Sequence, residues 1–176
     1  MITYEGNKEF AKKTKRVLKK DWNIDSKIIY GFKVGELYEG KPLKKNEVLM
    51  AGFKEYMLPK MKQDTLYLED DVRFTEDPMK YFQGYDVVWP VYRKGKLTNK
   101  PPHNIITGTQ ALYLSKKAID LLKKYINTKR LQHFDTFMSN FINNHPELKF
   151  KQLEKPIGYE EDHVSLISKD WNKRVK

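Results

Sequence analysis

The sequence alternates short apolar runs with longer amphipathic segments, and this alternation restricts the fold more than any other feature. Short apolar runs are typical of strands, whereas apolar residues that recur every three or four positions are typical of helices. Strands that alternate with helices favour α/β layers, in which helices flank a mainly parallel central sheet. No internal repeat, low-complexity tract or Pro- or Gly-rich linker divides the 176 residues, so we predict one α/β domain over residues 1–176.

The order of the predicted elements follows from these patterns and from turn and cap residues. The polar, basic stretch YRKGKLTNKPPHN is predicted to be a loop because Gly and two prolines interrupt it. The predicted strands are Ile2–Tyr4, Ser26–Phe32, Thr65–Leu68, Asp86–Pro90, Ile105–Leu114 and Phe150–Leu153. The predicted helices are Lys8–Lys20, one from an Asn46 cap to Pro59, one from a Ser115 cap and one from about Asp135.

The chain is strongly basic, with 34 Lys and Arg against 23 Asp and Glu and a formal net charge of +11. A charge of this size makes an anionic partner such as a nucleotide, nucleic acid or acidic lipid worth considering. A solvated helix face explains the basic residues of the first helix better than a nucleic-acid patch does, since most lie away from its apolar stripe. These residues are Lys12, Lys13, Lys15, Arg16, Lys19 and Lys20.

Cysteine usage and hydropathy exclude several classes of protein. Without cysteine the chain has no disulfide, thiolate nucleophile or zinc–thiolate site, so any metal must use oxygen or imidazole ligands. No apolar run approaches the roughly 20 residues that span a bilayer, and the opening MITYEGNKEF lacks the apolar core of a secretory signal. We therefore expect no membrane span and a cytoplasmic protein.

The stretch LYLEDDVRF places Glu69, Asp70 and Asp71 directly after the predicted strand Thr65–Leu68. Adjacent carboxylates repel one another unless a cation or hydrogen-bond donors offset their charge. Side chains alternate along an extended backbone, so Glu69 and Asp71 would share one side and could share Mg²⁺ or Mn²⁺. The alternative is an exposed turn whose carboxylates pair with Lys or Arg, for example Arg73.

Five segments in order resemble family 25 glycosyltransferases and related small enzymes of the GT-A fold: NEVLMAGFKEYM, DTLYLEDDVRF, DVVWP, TGTQALYLSKKAIDLL and HFDTFMSNF. The resemblance extends from Asn46 to Asn140. Its most specific part is the acidic triplet, a version of the family's DxD motif, followed at the right interval by the Gly-Thr strand and the Ser-Lys-Lys helix. It implies a GT-A-like catalytic domain of the hexosyltransferase class.

This resemblance implies transfer of a sugar, with inversion, from a nucleotide-diphosphate donor to a hydroxyl group of a glycan or protein acceptor. Mn²⁺ or Mg²⁺ would bridge the diphosphate to Asp71 and Glu69, with His163 as a third ligand. Asp70 would approach the ribose or orient the neighbouring ligands. The nucleoside base would lie near Thr3 and Tyr4.

The general base implied by the resemblance is Asp135, which an ordinary helix N-cap would explain equally well. Gly108 and Thr109 would let the backbone approach the donor or acceptor sugar, although Gly108 could equally be a packing glycine. Three other functions stay open. They are a basic nucleic-acid-binding protein, a metal-dependent nuclease or phosphotransferase, and an inactive binding module with the same fold.

Overall fold

The computed structural model describes residues 1–3, 8–91 and 108–161, so that Tyr4, His163 and the whole predicted basic loop lie outside it. The α-helices in the described chain are α1 (Lys8–Trp22), α2 (Val48–Gly52), α3 (Lys116–Ile126) and α4 (Phe134–Asn143). Helix α2 continues into a π-helical turn, Phe53–Met57, and a 3-10 turn, Leu58–Lys60; a further 3-10 turn is Pro78–Tyr81. The strands are β1 (Ile2–Thr3), β2 (Ile29–Tyr30), β3 (Leu37–Tyr38), β4 (Lys41–Pro42), β5 (Thr65–Leu68), β6 (Val72–Phe74), β7 (Val87–Val91), β8 (Ala111–Leu114), β9 (Phe150–Gln152) and β10 (Gly158–Glu160).

The largest sheet has four strands in the order β5, β8, β7 and β9. Strand β8 is antiparallel to both β5 and β7, and only β7 and β9 are parallel. The α/β class is therefore confirmed, but a mainly parallel sheet is wrong for these four strands. Apolar patterning predicts that a segment is extended, whereas its direction depends on which neighbour it pairs with.

Three smaller strand pairs lie outside the central sheet. Strands β1 and β2 are parallel, while β3 pairs with β4 and β6 with β10 in antiparallel fashion. The β3–β4 hairpin, absent from our prediction, turns at Glu39 and Gly40, which have φ values of 50° and 76°. Positive φ at both central residues suits the right-handed twist of a tight hairpin.

Alternating residues of the central strands face two separate apolar cores, as the pleat of a sheet requires. Helices α3 and α4 cover one face, and α1 packs on the other. Fully burying one such side chain contributes about 1.5–3 kcal/mol relative to leaving it exposed. The first core includes Tyr67, Trp89, Leu112, Leu122, Phe137 and Phe141. The second includes Ala11, Leu18, Leu68, Val88 and Ala111.

Asp86, just before β7, ties together the start of α3 and the entry to β9. Its carboxylate accepts the Ser115 hydroxyl at 2.9 Å and the Lys149 N–H at 2.9 Å. Ser115 itself caps α3 by accepting the Ala118 N–H, which confirms the predicted cap. Burial alone would raise the pKa of Asp86, but the bonds from Lys149 and Ser115, with the Lys117 ammonium, hold it below its ordinary value of 3.8.

Asp86→Asn is expected to lower the free energy of unfolding by about 1–3 kcal/mol near neutral pH. The two donors bond to different carboxylate oxygens, and the amide nitrogen that replaces one of them cannot accept a hydrogen bond. A lowered pKa stabilises the fold above the ordinary value of 3.8, and this contribution is lost as the pH falls through the lowered value. The difference between wild type and variant should therefore shrink in acid. Urea denaturation across pH measures it, with Asp21→Asn at an exposed position as the control. A difference that persists at low pH would contradict the assignment.

Gly158 lies where β10 crosses close to β6 and β7. A Cβ at this position would lie 2.5 Å from the Arg73 carbonyl oxygen and 2.8 Å from Val91 Cγ2. Because a backbone atom cannot move aside cheaply, we expect Gly158→Ala to lower the free energy of unfolding by about 1–3 kcal/mol. Gly84→Ala is the comparison, since Gly84 has open space around it and a φ of +82°.

The two glycines differ in how they respond to asparagine, which tolerates positive φ better than alanine does. Gly84→Asn should recover part of the stability that Gly84→Ala loses, whereas Gly158→Asn should recover none. Urea denaturation midpoints of the four variants test this. A wild-type midpoint for Gly158→Ala would show that the strands can separate there at no cost.

Candidate active site

Glu69–Asp71, here called the acidic turn, joins β5 to β6, and the observed β5 has the predicted bounds. The Glu69 N–H donates to the Gln110 carbonyl oxygen at 2.8 Å, which extends the β5–β8 pairing by one residue. The turn therefore lies at the carboxyl end of β5 and beside the start of β8. In open α/β sheets, ligands gather in the crevice beyond the carboxyl ends of strands.

Asp70 points into the protein. Its side chain is 6% exposed, and Oδ2 accepts a hydrogen bond from the hydroxyl of Thr3, which is 1% exposed. The Thr14 hydroxyl donates to the Asp70 carbonyl oxygen. Two residues predicted to bind substrate, Thr3 and Asp70, thus contact each other in the interior. This position suits an orienting role for Asp70 rather than direct contact with a ribose.

Glu69 and Asp71 flank Asp70 and are both partly exposed. The Asp71 carbonyl oxygen accepts a hydrogen bond from the Glu161 N–H at 2.8 Å. Glu161, which precedes His163 by two positions, therefore lies beside the acidic turn. His163 itself, the predicted third metal ligand, lies outside the described residues, as does Tyr4.

Within residues 1–3, 8–91 and 108–161, no three His, Asp or Glu side chains are grouped so that they could hold a metal ion. The described residues around the acidic turn therefore do not by themselves provide a cage of protein ligands. Mg²⁺, however, commonly binds through one or two carboxylates, with substrate phosphates and waters as its other ligands. Two partly exposed carboxylates, Glu69 and Asp71, fit an ion of that kind.

Arg73 contacts Glu161 and Thr14 of α1. Its Nη2 lies 2.5 Å from Glu161 Oε2, and its Nη1 donates to Thr14 Oγ1 at 2.5 Å. Glu161 also pairs with Lys13 at 2.5 Å. Arg73, two residues after the acidic turn, is thus connected to Glu161 by an ion pair and to α1 by a hydrogen bond.

A second cluster consists of Gly108, Thr109 and Asp135. Asp135 Oδ2 accepts the Gly108 N–H at 2.8 Å, and Oδ1 accepts the Thr109 N–H at 3.2 Å and its hydroxyl at 2.5 Å. Asp135 is therefore not the N-cap of α4, because His133 occupies that position and Asp135 lies in the first turn. Its carboxylate fixes the backbone that enters β8.

Gly108 has a φ of +75°, a conformation that favours glycine. Its carbonyl oxygen accepts the Trp89 Nε1–H at 3.0 Å, so the backbone here is held from both sides. A Cβ would lie 2.6 Å from Gln110 Oε1. Conformation and close packing both explain the glycine, and neither excludes a substrate nearby.

The two clusters are neighbours. Gln110, which holds the backbone of Glu69, directly follows Thr109, which donates to Asp135. The acidic turn and the Asp135 carboxylate thus both bond to the short stretch of chain that leads into β8. Sequence order places them 64 residues apart, and the antiparallel pairing of β5 with β8 brings them together.

An open pocket of about 650 Å³ lies beside β2. The Gly31 N–H donates to the Thr3 carbonyl oxygen at 2.8 Å, so the pocket is one strand away from Asp70. Sequence reasoning missed it, although an aromatic residue followed by glycine at a strand end was a readable signal. The residues that line it are Lys8, Tyr30, Gly31, Lys33, Val34 and Glu36.

No protein-family model matches the sequence, and no curated protein matches it either. None of the helices in the described part of the chain is long and apolar enough to cross a membrane. What the chain does must therefore be inferred from its motifs and from the arrangement of these two clusters.

Proposed function

We propose that the chain is a metal-dependent glycosyltransferase with a GT-A-like fold, which moves a sugar from a nucleotide-diphosphate donor to a hydroxyl group of a glycan or protein acceptor. One observation carries the proposal. The acidic turn and the Asp135 carboxylate bond to consecutive residues, Gln110 and Thr109, beside the carboxyl end of β5. The resemblance of the motifs to family 25 glycosyltransferases supports the same activity.

Glu69 and Asp71 would hold Mn²⁺ or Mg²⁺ together with the diphosphate of the donor. When bound, the ion would neutralise the negative charge that builds up on the leaving diphosphate as the glycosidic bond breaks. Asp70 would orient the side chains of Glu69 and Asp71, because its own carboxylate is anchored in the interior by a hydrogen bond from Thr3.

The pocket beside β2 would take the nucleoside. Its exposed tyrosine, Tyr30, offers a ring face on which a base could stack, and Lys8 and Lys33 would attract phosphate groups. The buried Thr3 connects this pocket to Asp70, so a ligand that extends from pocket to turn would pass over Thr3.

Asp135 would act as the general base that accepts the proton of the attacking hydroxyl group, giving direct displacement with inversion. Its side chain is 21% exposed, so an acceptor could reach it. Oδ2 accepts the Gly108 N–H, and a carboxylate oxygen has a second lone pair that could accept from the acceptor hydroxyl. The same bonds that fix the Gly108 backbone would hold this carboxylate in place.

The test is thermal stability with a panel of UDP-sugars and GDP-sugars, with and without Mn²⁺. The proposal expects one nucleotide sugar to stabilise the protein only when the metal is present. A ligand at about 100 times its dissociation constant should add about 2.7 kcal/mol. Stabilisation by short DNA that disappears with added salt would instead favour a nucleic-acid-binding protein, and DNA cleavage with Mn²⁺ would favour a nuclease.

A further inference from the structure

We propose that Arg73 is a positioning residue, which sets the shape of the acidic turn and thereby its affinity for a divalent ion. The metal-binding part of this inference rests on the proposed function, whereas the effect on the turn itself does not. Arg73 follows the turn by two residues and is 6% exposed, which is unusual for arginine. A buried guanidinium group requires partners for its charge and its donors.

The partners of Arg73 come from three parts of the chain. Nη1 donates to Thr14 Oγ1 of α1 at 2.5 Å and to the Val72 carbonyl oxygen at 2.8 Å. Nη2 forms the 2.5 Å ion pair with Glu161. The guanidinium carbon lies 5.4 Å from the centre of the Phe10 ring, close enough for a cation–π contact.

Two of these partners, Thr14 and Glu161, in turn hold the backbone of the acidic turn. The Thr14 hydroxyl, whose oxygen accepts from Arg73, donates its proton to the Asp70 carbonyl oxygen. Glu161, whose carboxylate pairs with Arg73, donates its N–H to the Asp71 carbonyl oxygen at 2.8 Å. Arg73 therefore acts on two consecutive peptide groups of the turn, each through one intermediate residue.

The geometry of arginine matters here. A planar guanidinium group presents donors in fixed directions and can serve Thr14 and Glu161 together, whereas an ammonium group is a single point of charge. Lysine at position 73 should keep the charge but hold only one partner well. Lys13 also pairs with Glu161, but its side chain is 53% exposed, so its contribution should be smaller.

The experiment compares Arg73→Met, Arg73→Lys and Lys13→Met with wild type. The Mn²⁺ dissociation constant is measured by electron paramagnetic resonance of the unbound ion, well below the melting temperature of each variant. Amide hydrogen exchange of Glu161 and Glu69 is measured in the absence of metal. Leu122→Ala, on the buried face of α3, is the control for lost stability, and the exposed Arg130→Met is the control for lost charge.

We expect Arg73→Met to weaken Mn²⁺ binding by about 10–100-fold, the usual effect of removing a residue that orients metal ligands. Arg73→Lys should weaken it less, Lys13→Met least, and the two controls not at all. Exchange of the Glu161 N–H should accelerate relative to that of Glu69, whose bond to Gln110 does not involve Arg73. If Arg73→Met does not fold, the Mn²⁺ dissociation constant and the exchange ratio of Arg73→Lys test the role of Arg73 instead.

The inference is overturned if folded Arg73 variants bind Mn²⁺ as wild type does, or if the two amides exchange in the same ratio as in Leu122→Ala. Failure of the proposed function gives a different result. Wild-type protein that binds no Mn²⁺, or binds Mn²⁺ but no nucleotide diphosphate, would refute the glycosyltransferase. In the first of these cases the exchange ratio alone would still support or overturn the role of Arg73 in shaping the turn.

Discussion

Asp71→Asn is expected to abolish Mn²⁺-dependent binding of a nucleotide diphosphate while the chain stays folded. The change removes one of the two partly exposed carboxylates of the acidic turn but retains the shape of the side chain. The main-chain bond from Glu161 to the Asp71 carbonyl oxygen does not depend on the side chain and should persist. Removing one repelling charge should leave the free energy of unfolding equal to or above that of wild type.

The measurement is the stabilisation by donor and Mn²⁺ together, about 2.7 kcal/mol in wild type at about 100 times the dissociation constant and close to zero in the variant. Asp21→Asn, which makes the same chemical change at an exposed position of α1, should retain the full effect. Wild-type turnover by Asp71→Asn would remove Asp71 from the mechanism.

Asp135→Asn is expected to reduce the rate of sugar transfer by about 10²–10⁴-fold, the usual contribution of a general base, while donor binding is retained. The variant should also be less stable by about 1–3 kcal/mol. Both carboxylate oxygens accept donors from Gly108 and Thr109, and an amide nitrogen cannot replace either one. Steady-state kinetics and urea denaturation separate the two effects.

Thr109→Val is the matched control, because it removes one donor to Asp135 and leaves the carboxylate in place. Thr109→Val should lose stability without a comparable loss of transfer. Equal loss of donor binding and transfer in Asp135→Asn would mean that Asp135 only supports the backbone at Gly108.

Local signals in the sequence are sufficient for much of the scaffold. Strand β5 has the predicted bounds, and Ser115 caps α3 as expected. These features depend on residues a few positions apart, where periodicity and capping chemistry are decisive. The direction of β8 depends instead on pairing with β5 and β7, whose residues lie at least 20 positions away, and apolar patterning contains no information on that direction.

The candidate site shows the same division between local and distant causes. Alternation along the backbone correctly predicts that the Asp70 side chain differs in direction from those of its two neighbours. It cannot indicate that Asp70 accepts a hydrogen bond from Thr3 in the interior. The pairing of Arg73 with Glu161 is equally invisible in the sequence, because 88 positions separate them and several other acids lie closer along the chain. The interpretation of Asp135 as an N-cap is wrong because α4 begins at Phe134, and the partners of the Asp135 side chain come instead from the distant entry to β8.

The acidic turn is held by contacts to residues 3, 14, 110 and 161, which are distributed over nearly the whole described chain. Contacts between such distant residues form only after large loops have closed, which makes them late events during folding. Partly folded intermediates should therefore lack the turn, and an ion or ligand that needs it would recognise the completed native state alone. Recovery of such binding after dilution from denaturant would then report the final step of refolding, later than the recovery of helical circular dichroism.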